Sequence, residues 1–103
     1  MAVDLAAIRQ AVSSGNYRYT NHAVQRTTER HISRTEIEEA IGRAEVIEEY
    51  PDDKYSPSCL LYGATHQSRP LHIQVSYPSV KIITAYEPDP NEWEDNRKRK
   101  THE

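Results

Sequence analysis

Phenylalanine is absent from these 103 residues, and cysteine, methionine and tryptophan each occur once. The lone Cys59 excludes an intramolecular disulfide and leaves nothing resembling a zinc cluster, which fits a reducing compartment. With hydrophobic residues at 36%, the core must be assembled from aliphatic side chains and the seven tyrosines. Long apolar runs are missing as well. No stretch approaches the roughly 20 apolar residues that span a bilayer. Met1-Ala2-Val3-Asp4 lacks the basic start and apolar run of a secretory signal. The expectation is a soluble, unsecreted, cytoplasmic chain of one domain, because a chain of about 100 residues supports one modest core. Internal repeats and low-complexity segments are also lacking.

Overall positive charge is lacking too. A net charge of -3 and a pI near 5.9 argue against a non-specific nucleic-acid binder, which is usually basic throughout. The distribution is uneven, however. Residues 17 to 34 hold Arg18, Arg26, Arg30 and Arg34 against Glu29 alone. Residues 36 to 53 hold Glu36, Glu38, Glu39, Glu45, Glu48, Glu49, Asp52 and Asp53 against Arg43 alone. A basic patch beside an acidic lobe suits local phosphate capture, or docking of a basic partner elsewhere.

Local patterns predict an α+β chain. Residues 4 to 14 read as a helix with Asp4 as N-cap, Leu5, Ile8 and Val12 on one face, and Gly15 as the stop. Tyr17 to Thr20 reads as a short strand running into a second helix, capped by Thr20 or Asn21, with only Ala23 and Val24 left to pack. On that helix His22, Arg26 and Arg30 follow at spacings of four and share one stripe, with Glu29 beside the arginines. Ser33-Arg34-Thr35-Glu36 is a capping box that opens a third helix, with Ile37, Ala40, Ile41 and Ala44 at core spacing. The period then changes to that of strands: Val46 to Tyr50, Cys59 to His66, Leu71 to Tyr77 and Val80 to Tyr86, separated by turn formers. Helices followed by strands predict helices packed on one face of a mainly antiparallel four-stranded sheet. In the third strand Leu71, Ile73, Val75 and Tyr77 alternate with His72, Gln74 and Ser76. A two-residue loop at Pro78-Ser79 would place Thr84 and Tyr86 on the apolar face, and a loop one residue longer would place them on the polar one. Pro-Ser is a poor type I′ pair, which favours the longer loop. Beyond Tyr86 the prolines exclude a central strand, Trp93 is expected to anchor the chain to the body, and residues 96 to 103 form a basic tail after a domain of residues 1 to 95.

The pattern Tyr19-Thr20-x-His22-Ala23-x-x-Arg26-x-x-x-Arg30-x-Ile32-Ser33, with Glu36-Ile37 and later Lys81-Ile82-Ile83-Thr84-Ala85-Tyr86-Glu87-Pro88-Asp89-Pro90-x-Glu92-Trp93, resembles the domain of unknown function 4258 family. The resemblance covers residues 17 to 95. That family is grouped with small bacterial toxins of the RelE and BrnT kind, metal-independent ribonucleases in which helices pack on one face of an antiparallel sheet and RNA lies on the other. The resemblance therefore implies a RelE/barnase-like fold, an endoribonuclease toxin without cofactor or metal, RNA as substrate and a cognate antitoxin as partner.

Metal-free RNA cleavage requires a base for the 2′ hydroxyl proton, donors for the phosphoryl oxygens and an acid for the leaving 5′ oxygen. His22, expected in the first helical turn beside Arg26, is the candidate for proton transfer, because positive potential there favours the neutral ring. Arg26 and Arg30 are the candidate phosphate clamp, since guanidinium groups are planar and bidentate toward phosphate. Tyr86 is the candidate for donating a phenolic proton or orienting the phosphate. Thr84 beside it, His72 on the neighbouring strand and Tyr62 as a stacking surface are candidate substrate contacts. A catalytically silent module that binds a protein or nucleic acid through the same stripe is the alternative. A metallohydrolase built from His22, His31, His66 and His72 is disfavoured, because these spacings match no metal-ligand signature.

Overall fold

Asp4 opens the first helix, α1 (Leu5–Ser13): its Oδ1 accepts from the Ala7 N–H at 3.0 Å, and Ile8 and Val12 are buried. The computed structural model describes residues 3–101. Gly15 ends the turn after α1 at φ +79°, a region that an L side chain enters only at a cost. A two-residue strand, β1 (Arg18–Tyr19), leads into α2 (Asn21–Glu29), whose N-cap is Thr20. The Thr20 hydroxyl accepts from the Ala23 N–H at 3.0 Å.

The next helix, α3 (Arg34–Gly42), carries the expected capping box: Ser33 Oγ accepts from Glu36 N–H at 3.1 Å, and Glu36 Oε1 accepts from Ser33 N–H at 3.0 Å. The two helices are held to the body in different ways. α3 buries Ile37 and Ile41 completely, each contributing roughly 1.5–3 kcal/mol. α2 buries only Ala23 and Thr27, while Val24, expected to pack, is 52% exposed. Its docking depends on its ends. At the C-terminal end Ile32 N–H reaches Thr27 O at 2.9 Å and His31 N–H reaches Thr28 O at 3.2 Å. His31 is left-handed at φ +54°, so the helix closes in a Schellman motif without glycine.

The strands β2 (Glu45–Tyr50), β3 (Ser58–Ala64), β4 (Pro70–Ser76) and β5 (Lys81–Tyr86) form an antiparallel meander. The sheet has five strands rather than four, in the order β1-β5-β4-β3-β2. β1 adds itself parallel to β5, with Arg18 N–H on Val80 O at 3.2 Å and Thr20 N–H on Ile82 O at 3.0 Å. The helices cover one face, against Cys59, Leu61, Leu71, Ile73, Val75, Ile82 and Ala85.

The parity of β5 is settled by a bulge. Val75 pairs with Ile82, the register of the shorter loop, but one strand position further on Gln74 pairs with Thr84 and His72 with Tyr86. Ile83 is the extra residue. It turns Thr84 and Tyr86 onto the polar face, the side that the longer loop implied.

The far face is not a bare sheet. Trp93–Glu94 (β6) and Lys98–Arg99 (β7) pair as a small hairpin whose turn residues Asp95 and Asn96 have φ +57° and +62°, as a type I′ turn requires. Trp93, 3% exposed, seats this hairpin against β4, its ring centroid 4.4 Å from that of His72. The basic run set apart as a tail is therefore strand-paired at Lys98 and Arg99. It folds back because Arg97 and Arg99 find Glu45 and Glu48 on β2, at 2.7 and 2.8 Å.

Candidate functional site

Two side chains brought together from distant parts of the chain define the site. Arg30, at the C-cap of α2, donates through Nη1 to the Ala85 carbonyl at 2.8 Å, 3.5 Å from Thr84 Oγ1. Its guanidinium stands 6.0 Å from the ring centroid of Tyr86. Arg30 and Tyr86 share a hollow of about 350 Å³ with Ile32, Arg69 and Glu87. Burial pushes the Tyr86 phenol above its usual pKa, so the group is protonated at neutral pH.

Arg69, which the sequence pattern did not single out, forms the wall of this hollow. From the β3–β4 turn it donates to the carbonyls of Arg30 at 3.1 Å and His31 at 2.9 Å, and to both Glu36 oxygens at 3.1 and 3.2 Å. Its Nε meets Glu87. The guanidinium thus ties the end of α2 to the start of α3 and the end of β5. The Glu36 carboxyl is held below its usual range, first by the Ser33 N–H and then by Arg69, against the opposing effect of burial.

On its other side Tyr86 borders a second hollow, of about 430 Å³, with Tyr50, Asp53, Leu60, Gln74 and Arg99. Arg99 lies 4.6 Å from the Trp93 ring centroid and meets Glu48 through Nε and Nη2, at 2.8 and 3.2 Å. Burial raises the Glu48 carboxyl, but the bonds from Arg99 and Tyr50 outweigh it and hold the group low. Tyr50 is pushed up to about 12 by burial and by its bond to Glu48. At the bottom Gln74 donates to Ser58 Oγ at 3.1 Å, and Ser58 donates to Asp53 at 2.7 Å. The period-2 alternation of β4 placed Gln74 on this face. Tyr50, Asp53 and Arg99 gave no signal, because they meet only through the β2–β3 loop and the hairpin.

The remaining candidates fall elsewhere. His22 is exposed in the first turn of α2, and Arg26, part-buried, is engaged by Glu29 at 2.9 Å. Residues four apart rise about 6 Å along a helix, so the stripe extends away from Arg30 rather than converging on it. His72 is completely buried, its Nε2 2.6 Å from Asn96 O, with the rings of Tyr62, Tyr86 and Trp93 against it. Tyr62 lies under the Arg97 guanidinium, 5.0 Å from it. Both therefore belong to a small second core beneath the hairpin, where packing is their observed role. The four histidines weighed as metal ligands are dispersed: His22 and His31 at opposite ends of α2, His66 on the β3–β4 turn beside Glu39, and His72 under the hairpin. Among the described residues no group of three or more His, Cys, Asp or Glu is placed to hold a metal ion, and no helix is long and apolar enough to cross a membrane.

The family model for the domain of unknown function 4258 (DUF4258) matches residues 19–87, about two thirds of the chain. The chain belongs to that family. No curated protein and no solved structure matches it. The DUF4258 match spans α2, α3 and the four-stranded meander, and so contains Arg30, Arg69, Thr84 and Tyr86. α1 and the C-terminal hairpin, with Trp93 and Arg99, lie outside it.

Proposed function

We propose that this DUF4258 protein is a metal-independent endoribonuclease of the RelE-like toxin kind, cleaving RNA by attack of a 2′ hydroxyl on the adjacent phosphate and restrained by an antitoxin protein that covers the groove. The observation that carries this reading is the hollow shared by Arg30 and Tyr86, which joins a fixed cation to a protonated phenol. Arg30 is anchored to Ala85 through one nitrogen. Its remaining N–H groups are available to a phosphoryl oxygen, where charge develops as the phosphate is attacked. Tyr86 supplies the proton that the departing 5′ oxygen needs.

The α2 stripe extends this reading along the substrate. His22 stands two turns, about 12 Å, from Arg30, so Arg26 and His22 engage the strand beyond the phosphate held by Arg30. His22 takes the 2′ proton only if the scissile bond lies at that end of α2. Cleavage assays with EDTA present separate the two placements: loss of cutting in Tyr86→Phe with retention in His22→Ala puts the chemistry at β5, and the reverse puts it at the N-terminus of α2.

A catalytically silent binding module is the second reading, favoured by the sealing of His72 and the distance of His22 from Tyr86. RNA left intact by excess protein in EDTA, with binding retained, would establish it. Growth arrest on expression, relieved by a neighbouring reading frame, is the outcome expected of the toxin.

A further inference from the structure

β1 and β5 place two cations side by side. Arg18 and Lys81 are register partners in the parallel ladder. Lys81 alternates with the buried Ile82, so both project from the face opposite the helices. Among the described residues neither forms an ion pair, although eight acidic side chains lie between positions 36 and 53. Like charges directly opposite each other destabilise a strand pair.

The two residues line a hollow of about 510 Å³ together with Asn16 and Ser79. The α1 C-terminus borders it, and there the Gln10, Ala11 and Val12 carbonyls are already engaged by the Ser14, Asn16 and Gly15 N–H groups. Lys81 also borders a second hollow, of about 390 Å³, with Thr20, Ile83, the exposed Tyr55 and Asp53, whose carboxylate accepts from Ser58 Oγ at 2.7 Å and forms no ion pair with Lys81. From Lys81 to Tyr86 is five strand steps, roughly 15 Å.

We infer that the Arg18–Lys81 hollow is a phosphate subsite for single-stranded RNA, holding the strand at one end of β5 while Arg30 and Tyr86 hold it at the other. This inference rests on the reading of the Arg30–Tyr86 hollow as an RNA site. An extended single strand suits a track of cations separated by a strand length. The ring of Tyr55, 89% exposed and bordering the second hollow beside Lys81, offers a base a stacking surface.

The test is fluorescence anisotropy of a labelled oligoribonucleotide of 2′-O-methyl residues, which binds as RNA but lacks the attacking hydroxyl, titrated across a salt series in EDTA. Each phosphate contact contributes about 0.7 to the slope of log affinity against log salt for a single strand. Arg18→Gln and Lys81→Gln should each reduce the slope by about 0.7 and the double variant by about 1.4, while Arg18→Lys and Lys81→Arg keep it. The urea midpoints of the Gln variants should hold or rise, because a repulsion is relieved. A double variant with unchanged slope and affinity, in a protein whose Arg30→Ala variant binds more weakly, overturns the subsite and leaves the RNA reading standing. Failure of the wild-type protein to bind the oligonucleotide overturns both.

Discussion

Gly63 lies so close to Ala40 that a Cβ built on it would stand 2.1 Å from the Ala40 carbonyl oxygen and 2.9 Å from its carbon. Both neighbouring groups are backbone, so no side chain can turn aside. This contact sets how near α3 approaches β3, and with it the depth at which Ile37 and Ile41 enter the core. Gly63→Ala is expected to cost about 3 kcal/mol, the upper end of overpacking effects, as a lower urea midpoint with an unchanged denaturant slope. A midpoint equal to wild type would mean that α3 rides further from the sheet.

Arg30 and Tyr86 are expected to behave as one unit in any RNA cleavage the protein performs. Arg30→Ala should lower the rate by roughly a hundredfold or more, as for a lost charge-stabilising donor. Tyr86→Phe should lower it by about a hundredfold to ten-thousandfold, as for a lost proton donor. Because both serve one phosphate, the double variant should fall well short of the product of the two losses. Rates in EDTA for the two single variants and the double variant check this; fully multiplicative losses would separate the residues.

Arg69 is expected to be a stability residue rather than a substrate contact. Its donors already serve two carbonyls and two carboxylates. Its side chain is 25% exposed, so these bonds are partly shielded from water. Arg69→Ala should cost about 2 kcal/mol, a typical figure for charged hydrogen bonds discounted for exposure. Arg69→Lys should recover only part of this, because an ammonium group cannot span the fork. Thermal unfolding of both variants measures it, and a Lys variant matching wild type would reduce Arg69 to a point charge.

What the sequence disclosed divides along local and non-local lines. The caps at Asp4, Thr20 and Ser33 and the core spacing of α3 depend on residues within one or two turns of each other, and each was legible. So was the polar side of β4, through its alternation. The position of Thr84 and Tyr86 was not, because it depends on where one surplus residue is inserted, and the bulge at Ile83 leaves no mark in a run of β-branched side chains. Trp93 was legible as an anchor but its partner was not: His72 looks like a groove residue until the hairpin folds over it. The four-spaced stripe on α2 showed that His22, Arg26 and Arg30 are aligned. Alignment over two turns is not convergence, and only Arg30 reaches β5.

The buried ring of His72 makes folding stability depend on pH. Its Nε2 faces the Asn96 carbonyl, so that nitrogen carries the proton, and Nδ1 is buried without a partner among the described residues. A second proton would place an N–H where nothing accepts it. Burial lowers the pKa below the ordinary 6.5, against the opposing influence of Asn96 O and Glu48 and with the help of Arg99. The folded state therefore binds fewer protons than the unfolded chain below about pH 6.5, and stability falls as the pH is lowered from there. Glu36 and Glu48 are both held low and respond later, losing their contribution as the pH drops below the ordinary carboxylate range. The window between about pH 6.5 and 4.5 is thus expected to report His72. Urea unfolding followed by the fluorescence of Trp93, whose ring packs on His72, should show a falling midpoint across that window for wild type and a flat one for His72→Gln, whose amide can still reach Asn96 O. Parallel curves for the two proteins would assign the dependence to another group.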